Sequence, residues 1–217
     1  MEIIKQLIDF ILHIDKHLAE IISQYGTLTY IILFVIIFVE TGLVVMPFLP
    51  GDSLLFAAGA FAAISHDQDL NIWILLPLLF VAAFLGDTVN YMIGKAIGPR
   101  AFSGKIKFLK KEYLDQTQAF FDKHGGKAII YARFVPIVRT FAPFVAGVGS
   151  MNYGKFLSFN IIGGLIWVLG LTLAGYFFGT IPWIRDNFEV VVIGIILVSI
   201  MPPIIQYLRH RFSKKAA

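Results

Sequence analysis

Arg133 and Arg139 lie six residues apart in a stretch that is otherwise apolar, AIIYARFVPIVRTFAPFVAGVGSM, residues 128–151. A guanidinium offers a planar fork of donors that matches the oxygens of a phosphate or a carboxylate. A charge at bilayer depth costs roughly 2.5–3.5 kcal/mol on insertion scales, so it is tolerated only against protein or a watery cavity. Two groups of opposite sign, Glu40 and Asp52, interrupt a second apolar stretch, LTYIILFVIIFVETGLVVMPFLPGDSLLFAAGAFAAI, residues 28–64. Arginine forks that bind an anion, beside carboxylates that take up a proton, describe proton-linked movement of an anionic substrate. Plainer readings stand beside this one. Asp52 is also placed to cap a helix beginning at Ser53. The arginines are also placed to donate to carbonyls freed by Pro136 and Pro143. Asp87 and Asn90, one helical turn apart, either extend the polar path or serve as capping and interfacial groups.

The elements that must position these groups are broken. Pro47, Pro50 and Gly51 interrupt the first stretch, and Pro136, Pro143 and Gly147 the second. Residues 53–64 would span only about 18 Å as a helix, too little for a hydrocarbon core of about 30 Å. That length suits a segment that enters the bilayer and returns. Non-helical backbone at membrane depth occurs where protein encloses it.

With 58% hydrophobic and 15% charged residues, and a mean hydropathy of +0.78, the chain reads as an integral membrane protein. The spacing of Ile4, Leu7, Ile8, Ile11, Ile14 and Leu18 predicts an amphipathic helix over 1–25, in the interface or on the protein's own flank. Its acidic residues argue against a secretory signal. Full spans are expected at 72–94, 156–181 and 188–208. The 95–127 loop and the 209–217 tail are basic, which places both in the cytoplasm, with a short helix over 112–124 ended by Gly125 and Gly126.

Parity then makes 128–151 a hairpin entering and leaving on the cytoplasmic face. PFLPGDSLLFAAGA (47–60) echoes PIVRTFAPFVAGVG (136–149) at an offset of about 89 residues, which makes 28–64 a hairpin from the opposite face. The expected architecture is a single all-α membrane domain: two inverted re-entrant hairpins, about three full spans and an N-terminal amphipathic helix.

Several classes are disfavoured. Net charge is +4, but the cations cluster between apolar spans, where they set topology rather than bind nucleic acid. There is no cysteine, hence no disulfide, thiolate metal ligand or thiol nucleophile. All five histidines fall outside the apolar spans. His13 and His17 have ligand spacing but no third ligand nearby, so no metal or other cofactor is expected. GVGSM is not a nucleophile elbow, and an enzyme is not expected. Gly94-to-Gly98 and Gly175-to-Gly179 suit close helix packing, within the chain or between copies in a homo-oligomer. Trp73, Trp167 and Trp183 read as interface anchors.

These residues also carry a resemblance. FVETGLVVMPFLPGDSLLFAAGA with GDTVNYMIG, then HGGKAIIYARFVPIVRTFAPFVAG and GYFFGTIP, are similar to the bacterial DedA family, over nearly the whole chain. The family belongs to the wider VTT superfamily, which includes eukaryotic lipid scramblases. The resemblance implies a multi-pass protein of the bacterial inner membrane that returns undecaprenyl phosphate to the cytoplasmic leaflet and depends on the proton gradient. It implies that the acidic pair such proteins need falls on Glu40 and Asp52, and the arginine pair on Arg133 and Arg139. The expected partners are that polyprenyl phosphate, protons and anionic membrane lipids. A general phospholipid scramblase, a proton or cation antiporter and a non-transporting scaffold are the competing functions.

Overall fold

The computed structural model describes residues 20–22, 24–43, 51–64, 70–103, 111–188, 190–195 and 197. Among them every regular element is helical. The order is α1 (Leu28–Gly42), α2 (Gly51–Ile64), α3 (Ile72–Ile97), a 3-10 turn (Gly98–Ser103), α4 (Lys111–His124), a second 3-10 turn (Gly125–Lys127), α5 (Ala128–Ala132), α6 (Pro136–Val148), α7 (Tyr153–Phe178) and α8 (Pro182–Asp186).

α3 and α7 are built alike. Each has 26 residues, about 39 Å, and is apolar enough to cross a membrane. An asparagine starts each one. The Asn71 side chain accepts the Trp73 N–H at 2.9 Å, and the Asn152 side chain accepts the Lys155 N–H at 3.3 Å, satisfying donors that a helix start leaves open. A glycine ends each one, with the Gly98 and Gly179 N–H groups donating to the Gly94 and Gly175 carbonyls. Asn71 to Asn152, Ile72 to Tyr153 and Gly98 to Gly179 are all displacements of 81 residues.

The broken segments repeat too, and each packs on the long helix of the other half. In the first pairing α2 meets α7: a Cβ on Gly59 would overlap the Thr172 carbonyl, and one on Gly175 the Phe56 carbonyl. In the second α6 meets α3: Gly147 lies on the Tyr91 carbonyl and Gly94 on the Phe144 carbonyl. Small residues let backbones approach this closely. The matching pairs Phe56/Phe144 and Gly59/Gly147 are displaced by 88 residues, not the 89 suggested by the prolines. The true match aligns FAAG (56–59) with FVAG (144–147).

Helix directions follow from these contacts. α3 and α7 run oppositely, with Phe84 beside Asn160 and Phe80 against Gly164. α1 runs with α3, since the Tyr30 hydroxyl meets the Asn71 N–H and Thr41 meets Gly86. α2 runs with α7, from Asp52 at Trp167 to Ala60 at Gly179. α1 and α2 therefore run in opposite senses. α5 follows α7 and α6 follows α3, so the second broken segment reverses as well.

Several boundaries differ from expectation. The helix 156–181 begins at Tyr153 because Asn152 caps it, and the helix 72–94 continues to Ile97. Between α5 and α6 the second broken segment departs from helix only at Arg133–Val135, and it leaves helix again after Val148. α6 runs straight through Pro143 and Gly147, which are packing positions rather than breaks. Pro143 leaves the Arg139 carbonyl without its usual N–H partner but does not end the helix. α4 ends at Gly125, whose φ of +58° favours glycine. Pro47, Pro50, nearly all of the 1–25 helix, the C-terminal part of 188–208 and the tail lie outside the described residues.

The largest apolar core joins α1, α2, α3 and α7, with Phe188 and Val192 packed beneath. A second core binds α4 to α6 through Leu114, Phe141, Phe144 and Val145. Polarity is inverted relative to a water-soluble protein. Ile31, Val35, Met92, Ile166 and Phe177 face outward, while Glu40, Asp87 and Arg133 are buried.

Candidate functional site

The two broken segments meet at their tips, and the charges meet there. Arg139, in the first turn of α6, forms ion pairs with Glu40 at the end of α1 and with Asp52 in the first turn of α2, the latter at 2.7 Å. The same Glu40 oxygen, Oε1, also accepts the Gly51 N–H at 3.3 Å, and Oε2 is buried without a hydrogen-bond partner. Gly51 is glycine for a steric reason, because a Cβ there would run into the Glu40 carboxylate. α2 begins at Gly51, so Asp52 sits inside the helix and does not cap it. Its charge still favours that helix start. Asp52 also accepts the Trp167 indole N–H at 2.8 Å.

Arg133 occupies the turn between α5 and α6 and pairs with Asp87 of α3. The same nitrogen donates to the Asn160 side-chain oxygen at 2.6 Å, and the Asn160 amide donates to the Phe84 carbonyl at 3.2 Å. Gly163 provides the trough for this side chain, since a Cβ there would come within 3.0 Å of Arg133 Nε. Trp167 lies between the two arginines, its ring 4.7 Å from the Arg139 guanidinium carbon and 5.7 Å from that of Arg133, within the range of cation–π attraction. Asn90 ties the two broken segments together. Its amide donates to the Thr41 carbonyl at 3.1 Å and to the Thr140 carbonyl at 2.9 Å.

Glu40, Asp87, Arg133, Arg139, Thr140 and Trp167 enclose a space of about 10 Å³, room for about one water. The site is closed: carboxylates hold both terminal nitrogens of Arg139, whereas Arg133 bonds through Nη2 alone and its buried Nε has no hydrogen-bond partner. A wider cleft of about 570 Å³ opens between α4, the end of α6 and the start of α7, with Gln118, Asn152 and Lys155 beside Phe121 and Phe159.

The residues singled out in the sequence are thus brought together, in an arrangement the sequence did not specify. Arg133 and Arg139 do not share one partner: Arg139 takes Glu40 and Asp52, and Arg133 takes Asp87. Asp87 and Asn90 are buried parts of this network rather than caps. Trp167 and Asn160 were missed. Trp73 and Trp183 are 80% and 63% exposed, as anchors would be, but Trp167 is 3% exposed and is no anchor. The available signal was its mid-span position, and for Asn160 a lone amide in an apolar helix.

Comparison with known proteins places this architecture. The VTT domain family matches residues 49–177. The chain is 57% identical over 212 residues to Protein DedA of Escherichia coli, covering 97% of this chain and 96% of that one. It is 47% identical over 172 residues to an uncharacterized membrane protein of Mycobacterium leprae, covering 79% and 76% respectively. It is 38% identical over 186 residues to the inner membrane protein YqjA of Escherichia coli, covering 84% and 81%. No solved structure matches it. The chain belongs to the DedA family of VTT-domain membrane proteins.

Proposed function

We propose that this protein moves a polyprenyl phosphate, of the undecaprenyl phosphate class, between the leaflets of the bacterial inner membrane, and that protons drive the movement. It acts as a transporter rather than an enzyme. In this reading the segments α1–α2 and α5–α6 enter the bilayer from opposite faces, and the C-terminal tail is cytoplasmic. The family resemblance supplies the lipid. The observation that carries the mechanism is Arg139 held between Glu40 and Asp52 where the two segments touch.

A phosphate cannot enter a space with room for one water, so the closed site must exchange partners rather than add one. Protonation of Glu40 and Asp52 removes their charge and frees the Arg139 fork. A phosphate oxygen pair then takes the vacated donors, in the bidentate geometry that arginine favours. Arg133 is released from Asp87 in the same way and engages the phosphate from the other side. The polyprenyl tail stays in lipid throughout, beside the apolar outer faces of α3 and α7. The wide cleft, with Lys155 at its rim, receives the head group on the cytoplasmic side, where anionic lipid also gathers near the basic loop.

The test is transport by purified protein in liposomes carrying a fluorescent polyprenyl phosphate and an imposed pH gradient. Wild type accelerates flipping, and the gradient increases the rate. Arg139→Ala abolishes it, and Arg139→Lys, which keeps the charge but not the fork, retains less than about a tenth. Normal flipping by a folded Arg139→Ala protein would refute the reading. Equal flipping of neutral phospholipid would select a general scramblase instead.

A further inference from the structure

The helices fall into two bodies, and neither body is a sequence half. Within each one, backbones touch. A Cβ on Gly86 of α3 would meet the Phe38 carbonyl of α1, and Gly94 and Gly147 lock α3 to α6. Gly59, Gly175 and Gly179 lock α2 to α7 in the same way. α4 is fixed to α6 through their shared apolar core, and α5 lies against Gly163 of α7. One body is therefore α1, α3, α4 and α6, and the other is α2, α5 and α7. Where α3 faces α7, side chains meet instead: the Phe80 ring lies against Gly164, and the Asn160 amide reaches the Phe84 carbonyl. Backbone contacts at glycine fix a close register, whereas helices packed through side chains can slide past one another.

The polar groups divide along the same boundary. The first body holds the Arg139–Glu40 ion pair and both hydrogen bonds of the Asn90 amide. The second holds Arg133 with Asn160, and Asp52 with Trp167. The Arg139–Asp52 and Arg133–Asp87 pairs cross from one body to the other. The cleft of about 570 Å³ lies on the boundary too, with Phe121 and Val145 of the first body facing Lys155 and Phe159 of the second. We infer that the molecule opens by parting of these two bodies at the cleft, breaking the Arg139–Asp52 and Arg133–Asp87 pairs while Glu40 stays with Arg139 and Asn160 with Arg133. Each broken segment is then a hinge, since α1 and α2 belong to different bodies, as do α5 and α6. One guanidinium remains on each side, relieved of one carboxylate. A phosphate taking the places of Asp52 and Asp87 would touch both bodies; that last step rests on the transport reading, and the parting does not.

The chain has no cysteine, so introduced pairs can carry spin labels in the full-length protein, in nanodiscs without added polyprenyl phosphate. Double electron–electron resonance measures the distances. Gln118→Cys with Lys155→Cys spans the cleft. Ile64→Cys with Leu85→Cys joins one sequence half but two bodies. Ile64→Cys with Ile166→Cys joins two halves but one body. Asp52→Asn together with Asp87→Asn removes both crossing ion pairs and keeps an acceptor at each position. In that background the first distance should lengthen by about 5 Å, the scale of a one-turn shift between packed elements. The second should shift as well, and the third should stay as in wild type. Where the doubly substituted protein fails to fold, Asp52→Asn alone takes its place, its ion pair being the more exposed of the two. Either of the first two distances unchanged in a folded variant would overturn the inference. So would a shift between Ile64 and Ile166, which would make the sequence halves the moving units or leave no rigid body at all. No polyprenyl phosphate is present, so failure here is separable from failure of the transport reading.

Discussion

Trp167 donates its indole N–H to Asp52 at 2.8 Å while the guanidinium carbon of Arg139 lies 4.7 Å from its ring. One side chain of α7 thus touches both members of an ion pair formed by α2 and α6, and its ring also meets Arg133. Trp167→Phe keeps the ring and removes the donor. It should cost about 1.5–3 kcal/mol, the range for a hydrogen bond to a charged group, read as a fall in melting temperature in detergent. Trp167→Ala removes the face shared by both arginines and should cost more, about 3–5 kcal/mol. Equal melting temperatures for the two variants would show that the ring contributes nothing beyond its N–H.

Asp87 and Arg133 are both buried, so breaking the pair should be worse than deleting it. Asp87→Ala leaves a guanidinium without its carboxylate and should cost about 3–5 kcal/mol. The double variant Asp87→Leu with Arg133→Met should recover most of that stability. It should still fail to flip the lipid, because it has lost one cation of the proposed site. Thermal melts of the single and double variants, with the liposome assay alongside, separate the structural from the functional part.

The close approach of α2 to α7 and of α6 to α3 rests on four glycines. Gly59→Ala and Gly147→Ala each place a Cβ against a backbone carbonyl, so the helices must part. Each should cost roughly 1–3 kcal/mol, as overpacking does, and the two costs should be similar because the contacts are equivalent. Gly170 has open space around it, and Gly170→Ala should be neutral or slightly stabilising. A melt of all three variants decides the matter.

Asn90→Ala removes the amide bonded to Thr41 and Thr140 and should cost about 1–3 kcal/mol, since two buried carbonyls lose their donor. Asn90→Asp should be worse. It sets a group that only accepts against two carbonyl oxygens and adds another negative charge to a site already rich in them. A melt showing Asn90→Asp as stable as wild type would remove Asn90 from its bridging role.

Much of this was legible in the chain. Arginine and carboxylate stand out in apolar sequence because burying them is costly, and Pro136 and Gly51 mark true helix starts. Two things were not legible. Ion-pair partners are chosen by three-dimensional approach, so nothing in the spacing assigned Asp87 to Arg133, 46 residues away. Proline also misled. Pro47 and Pro136 set the repeat one residue out of register, because proline fits several positions near a helix start. The glycines had to be at single positions, where backbones touch, and they carry the correct offset. Trp167 was misread because an indole has the same composition signal in an interface belt as in a buried network.

The exchange of segments between halves also orders the birth of the molecule. α2 has its glycine-lined neighbour in α7, and the acids of the first half have their cations in α6 and the turn before it. A ribosome makes α1, α2 and α3 well before either arginine exists. Through that interval Glu40, Asp52 and Asp87 lack Arg133 and Arg139, and α2 lacks the α7 glycine on which it packs. Those acids must wait protonated, or near water, until the second half is threaded in and closes over them.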